Sequence, residues 1–211
     1  MDLSTHDMDL PRGWPTDLAS DEPIRYVWHA CRTDLRDLLI SRHWIKDLDR
    51  VKDPIDWLKG IAAAVANGSS QTSPFFHVSK TSDGAYYFAE RGQNFRGEHP
   101  RNQIFTRIDL LGLYQDGIIG PESLIDISTP EAVMTLFWPL LEDHHNLSKA
   151  EQLQLHKVLM RGPRDHEMLL CWRGFVDPHY IIMMTKPPRS PNHRRGLPVD
   201  LPLYLDSGVR P

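Results

Sequence analysis

What most constrains this chain is the irregular way in which short strand-like runs and helical patterns follow one another. Six runs have strand character: IRYVWHA from Ile24, SPFFHVSK from Ser73, QIFTRIDL from Gln103, LIDI from Leu124, EMLLCW from Glu167 and YIIMM from Tyr180. Each is short, apolar or alternating, and rich in β-branched, aromatic or leucine side chains. Helical patterns lie between them. TDLRDLLIS follows Thr33, and in DPIDWLKGIAAAVANG Asp53 can cap, Pro54 suits the first turn and Gly68 follows the end. SDGAYYFAERG starts at Ser82 as a cap, another helix starts at Thr129–Pro130 and runs through Leu141, and Ser148 with Glu151 forms a capping box before a helix that runs to about Met160.

The order lacks both the regular βαβα alternation and the glycine fingerprint of a doubly wound dinucleotide-binding sheet. The pattern predicts an α+β domain over 24–185, preceded by an irregular, proline-broken lead-in over 1–23 and followed by a proline- and arginine-rich tail over 186–211. RGFVDPH reads as a turn between the last two strands, and Gly92 to Asn102 as a polar loop.

Composition narrows the function classes. The chain has 211 residues, of which 40% are hydrophobic, enough for one core, and its net charge of −4 comes from intermixed charges rather than a basic stripe, which disfavours nucleic acid. Cys31 and Cys171 are far apart and lack zinc-site spacing, so free thiols are expected. The acidic N-terminus is unlike a signal peptide and no run of 18 apolar residues occurs, which predicts an intracellular protein of cytoplasm or nucleus without a membrane partner. Adjacent histidines in DHHN, Asp143 to Asn146, lack the i, i+4 spacing of a helical metal site, and no metal is expected.

Polar groups capable of chemistry fall at three element ends: His29 in YVWHACR, Tyr86 and Tyr87 in SDGAYYFAERG, and Glu167 in DHEMLLCW. Read as residues alone, each has an ordinary explanation: a satisfied edge histidine, packed aromatics and a solvated strand end. Taken together and in this order, however, VWHACRTDLRDLLISRHWI, SDGAYYFAERGQNF and DHEMLLCW resemble three segments of the poly(ADP-ribose) polymerase-like and diphtheria-toxin-like ADP-ribosyltransferases. The resemblance spans about Ile24 to Met184. It implies a split β-sheet core with flanking helices, and NAD as the substrate whose nicotinamide–ribose bond is cleaved.

Carried over residue by residue, the resemblance implies a His-Tyr-Glu triad of His29, Tyr87 and Glu167, with cofactor contacts from His29, Ala30, Ser79, Thr81, Tyr86 and Tyr87. Glu167 would stabilise positive charge developing on the ribose, Tyr87 would stack on nicotinamide while Tyr86 packs, and His29 would orient the dinucleotide. Ala30 stands where the family has glycine, and Asp165 stands two positions before Glu167. The related cholera-toxin-like arrangement would use Ser79 and Thr81 as its serine strand, but His29 falls where its arginine belongs. The implied partner is a macromolecular acceptor, a protein, or water. Two other readings stay open: a noncatalytic nucleotide- or protein-binding module, and an NAD-dependent RNA 2′-phosphotransferase using Arg25, Arg32 and Arg91.

Overall fold

The computed structural model describes residues 10–32, 53–67, 75–96, 103–171 and 180–185. The helix expected behind Thr33, residues 1–9 and the tail from 186 lie outside them. The described strands are β1 (Tyr26–Arg32), β2 (Phe76–Ser79), β3 (Gln103–Asp109), β4 (Leu124–Asp126), β5 (Glu167–Leu170) and β6 (Ile181–Thr185). The described helices are α1 (Pro54–Asn67), α2 (Ser82–Arg96), α3 (Leu110–Gln115), α4 (Pro130–Glu142) and α5 (Lys149–Arg164). The class is α+β. All pairings are antiparallel in one sheet of order β4-β5-β2-β1-β3-β6. No described helix is long and apolar enough to cross a membrane.

Local chemistry explains most boundaries. Asp53 Oδ1 accepts from the amides of Ile55 and Asp56, Thr129 Oγ1 from that of Ala132, and Ser148 and Glu151 form a reciprocal box, so three helix starts follow their caps. The start of α2 is one residue off the sequence reading: Thr81, not Ser82, is the cap, with Thr81 Oγ1 accepting from Gly84 N at 3.0 Å. The same helix continues past Gly92 to Arg96, into the stretch read as loop. Helix α3 is missing from the sequence reading because the alternation of QIFTRID runs straight into it; Asp109 ends the strand and caps the helix through Gly112 N at 3.0 Å.

The last two strands are not hairpin neighbours. β5 lies between β4 and β2 while β6 forms the opposite edge beside β3, so RGFVDPH connects strands separated by β2, β1 and β3. The reason is register: Met168 and Leu170 of β5 match Val78 and Phe76 of β2 on one face, whereas β6 pairs Phe105 through Ile108. Nor is the whole lead-in detached. Trp14 is buried in the core with Val27, Ile108 and Tyr180, and its indole N–H donates to Ile24 O at 2.9 Å.

Two layers cover the sheet. Trp14, Ile24 and α3 pack on the face bearing Val27, Phe76, Val78, Ile108 and Met168. On the opposite face, α1, α4 and α5 cover Ile125 and Leu169 of the β4–β5 end, while α2 covers Ala30 and Phe105 of β1 and β3 through Ala85 and Ala89. The helices on that face thus form two groups, with β2 beneath the gap. The sheet itself is weakest at the same place: β1 pairs with β3 at seven positions but with β2 only at Trp28↔Ser79.

Candidate functional site

Alternation along the strands brings His77 and Ser79 of β2 and Glu167 of β5 to the helix-gap face, since Ser79 pairs with Glu167 and His77 with Leu169. Over them lies a cleft of about 240 Å³ including its open mouth, lined from β1 by Trp28, His29 and Ala30, from α2 by Ala85 and Phe88, and from the α5–β5 junction by Asp165.

Glu167 is 3% exposed. Its Oε1 accepts from His77 Nδ1–H at 2.5 Å, and its Oε2 is buried with no hydrogen-bond partner among the described residues. A buried carboxylate oxygen without a donor is costly, on the order of 1–3 kcal/mol for the missing bond. A ligand hydroxyl in the cleft would supply that bond. The diagonal cross-strand position of His77 relative to Glu167 makes the pair possible, and both side chains are almost wholly buried.

His29 bridges from β1 to β2. Its Nδ1–H donates to His77 O at 2.8 Å, and its ring stacks at 31° on Phe76 with centroids 4.5 Å apart. A carbonyl can only accept, so this contact places the proton on Nδ1. A side chain from β1 thereby does what a ladder amide does elsewhere, satisfying a β2 carbonyl just past the single Trp28↔Ser79 pair.

The floor of the cleft is tied to its wall by a second network. Ser79 Oγ donates to Asp165 O at 2.8 Å and accepts from Thr81 N at 3.2 Å. Thr81 Oγ1 lies 2.7 Å from His166 Nδ1. Burial lowers the His166 pKa, with Asp83 opposing and Lys80 adding to the shift, which favours the neutral ring. His166 itself sits at φ 47°, in the left-handed region, where it turns the chain from α5 into β5. Asp165 Oδ1 accepts from Arg164 Nε at 2.8 Å. The Cys171 thiol, at the far end of β5, is pushed up to about 12 by burial and is a core group.

The residues expected from sequence divide accordingly. His29, Ala30, Ser79 and Glu167 come together around the cleft, and Thr81 braces it from behind as the α2 cap. Tyr87 is half-buried and is not among the lining residues, while Tyr86 packs on Phe105 with centroids 6.3 Å apart. The reason is helical phase: Ala85 and Phe88, three apart, share the face of α2 that meets the cleft, and this turns the two tyrosines elsewhere. Trp28 and Phe88 are the aromatic walls instead. His77 is the residue that the sequence reading passes over.

His77 is a positioning residue for Glu167, and its replacements separate that role from packing. Asparagine carries a donor where Nδ1 stands; phenylalanine fills the space without one. In a ligand-binding assay on the folded variants, His77→Asn should keep affinity within about threefold, and His77→Phe should lose about 10-fold or more, the worth of a hydrogen bond to a charged group. Equal losses in both would assign His77 to packing alone.

Among the described residues no group of three or more His, Cys, Asp and Glu side chains converges as metal ligands do. The cleft is lined by two carboxylates, Glu167 and Asp165, two histidines, His29 and His77, and the aromatic side chains of Trp28 and Phe88. Comparison with protein-family models, with curated proteins and with solved structures finds no match to this chain.

Proposed function

We propose that this cleft binds NAD and cleaves its nicotinamide–ribose bond, passing ADP-ribose to a macromolecular acceptor or to water, on an ADP-ribosyltransferase-like split sheet. The observation that carries the reading is Glu167: a buried carboxylate whose Oε2 has no hydrogen-bond partner among the described residues, beside Ser79, the β2 residue that pairs with β1. Support also comes from the strand order, which sets β1, β2 and β5 side by side, so that residues of all three strands line one cleft.

In the proposed reaction the C1′–N bond breaks and its electron pair goes to the nicotinamide nitrogen, which leaves neutral. Positive charge appears on the ribose as an oxocarbenium-like centre. Glu167 stabilises that charge more than it stabilises the ground state, which is what lowers a barrier. Its Oε2 accepts a hydrogen bond from a ribose hydroxyl, and His77 Nδ1–H holds Oε1. Trp28 and Phe88 give the leaving ring apolar walls, the part that Tyr87 holds in the sequence reading. An acceptor hydroxyl or water then forms the new C1′–O bond and releases its proton to solvent.

The test is nicotinamide release from NAD by the purified protein, with and without a protein extract as acceptor source. Release without extract establishes hydrolysis, and release only with extract establishes transfer. No release, together with a melting temperature raised by NAD, favours the noncatalytic binding module. No release and no shift removes the reading.

A further inference from the structure

One side chain on the cleft face has no role in the site so far: Arg107. The register of the sheet places it in a single row with the reacting carboxylate, since Glu167 pairs with Ser79, Ser79 with Trp28 and Trp28 with Arg107. Neighbouring strands are about 4.8 Å apart, so the row spans about 14 Å between the backbones of Glu167 and Arg107. Trp28, the third member, is itself a wall of the cleft.

The environment of Arg107 is unusual for an arginine on a sheet. Its guanidinium lies over the Tyr26 ring at 3.9 Å from the centroid and 5.7 Å from that of Trp28. Among the described residues it makes no ion pair, and its Nε is buried without a hydrogen-bond partner. The nearest carboxylate along β3, Asp109, is engaged elsewhere: Oδ1 caps α3 through Gly112 N, and Oδ2 faces Arg25 at 3.4 Å. Arg25 also sits over Tyr26, at 5.1 Å, so two guanidinium groups approach the one ring, and Asp109 pairs with Arg25. Stacking fixes the plane of a guanidinium and leaves its N–H edge for an anion, the arrangement suited to two-point phosphoryl recognition.

A diphosphate attached to a ribose at Glu167 would lie along the surface leading away from that carboxylate, and a guanidinium with no ion-pair partner among the described residues stands on that row.

We propose that Arg107, stacked on Tyr26 and Trp28, forms a phosphoryl-binding subsite continuous with the cleft. The ligand chemistry is a phosphate or diphosphate group, carried either by the cleaved dinucleotide or by the acceptor. The inference rests on the cleft being a nucleotide site, and its test is built to fail separately from the NAD reading.

The first arm uses inorganic pyrophosphate alone. It should raise the melting temperature of the wild-type protein, and Arg107→Gln should abolish the shift. No shift in wild type, or an equal shift in Arg107→Gln, overturns the subsite whatever NAD does. The second arm compares NAD with nicotinamide riboside, which has the same scissile bond and no phosphate. With acceptor absent, Arg107→Gln should raise KM for NAD about 10- to 100-fold at nearly constant kcat, the signature of lost uniform binding, and leave riboside cleavage unchanged. An unchanged KM for NAD with a raised KM for a phosphorylated acceptor assigns the phosphate to the acceptor. Should wild type release no nicotinamide, the pyrophosphate arm decides alone. Arg107→Lys keeps the charge and loses the fork; if Arg107→Gln does not fold, a weakened pyrophosphate shift in Arg107→Lys supports the subsite and an undiminished one overturns it.

Discussion

Glu167→Gln should lower kcat for nicotinamide release by about 10²- to 10³-fold, the loss seen when one preorganised electrostatic contact to developing charge is removed. The fold should survive the change. The amide oxygen can still accept from His77 Nδ1–H, and the substitution keeps the size and shape of a side chain that is 3% exposed. The denaturation midpoint should therefore stay close to that of the wild-type protein. Glu167→Ala is the useful contrast: it strands the His77 donor in the interior and should cost about 1–3 kcal/mol of stability as well as activity. Steady-state release of nicotinamide read beside urea melts separates the two effects. Activity retained in a folded Glu167→Gln protein would remove the carboxylate from the chemistry.

Gly84→Ala should destabilise the protein by about 3 kcal/mol, at the upper end of the range for inserting a methyl into packed structure. A Cβ at Gly84 would stand 2.2 Å from Asp165 O and 2.3 Å from Ser79 Oγ. The carbonyl is backbone, and the hydroxyl is fixed by its own bond to that carbonyl at 2.8 Å, so neither can simply turn away. The first turn of α2 would have to lift from the α5–β5 junction, loosening the wall of the cleft and weakening ligand binding too. Gly60 gives an internal control within α1, where a Cβ would meet nothing within 4 Å. Gly60→Ala should stabilise by about 1 kcal/mol through helix propensity alone. Opposite shifts in urea midpoint at unchanged slope are the expected result. A Gly84→Ala protein as stable as wild type would show that α2 does not need its close approach to the cleft.

These two positions also show where a sequence reading reaches and where it stops. Strand character was plain in YVWHACR, FHVS, QIFTRID and EMLL, because apolar and alternating runs bounded by turn residues leave few alternatives. Helix starts at Asp53, Thr129 and Ser148 were equally plain, since each cap satisfies a backbone donor within three residues. Long-range register is another matter. His77 in FHVS looks like one more core residue until β2 lies beside β5 and brings it to Glu167, ninety positions along the chain. Nothing local signals that encounter. Tyr87 illustrates the reverse: its type suits a stacking platform, but the phase of α2 is set by Gly84 pressing on Asp165 and by Ala85 and Ala89 packing on Ala30 and Phe105, and that phase presents Phe88 to the cleft. Arg107 is equally inconspicuous in the sequence, because its neighbours Tyr26 and Trp28 are reached only through β1–β3 pairing.

The most direct test of the account is a crystal structure of the Glu167→Gln protein soaked with NAD, in which slowed chemistry preserves the bound dinucleotide. The account predicts the nicotinamide ring between Trp28 and Phe88, with a ribose hydroxyl within hydrogen-bond reach of the side chain at position 167 and the diphosphate leading toward Arg107. NAD bound elsewhere on the protein, or an unoccupied cleft at saturating NAD, would contradict it.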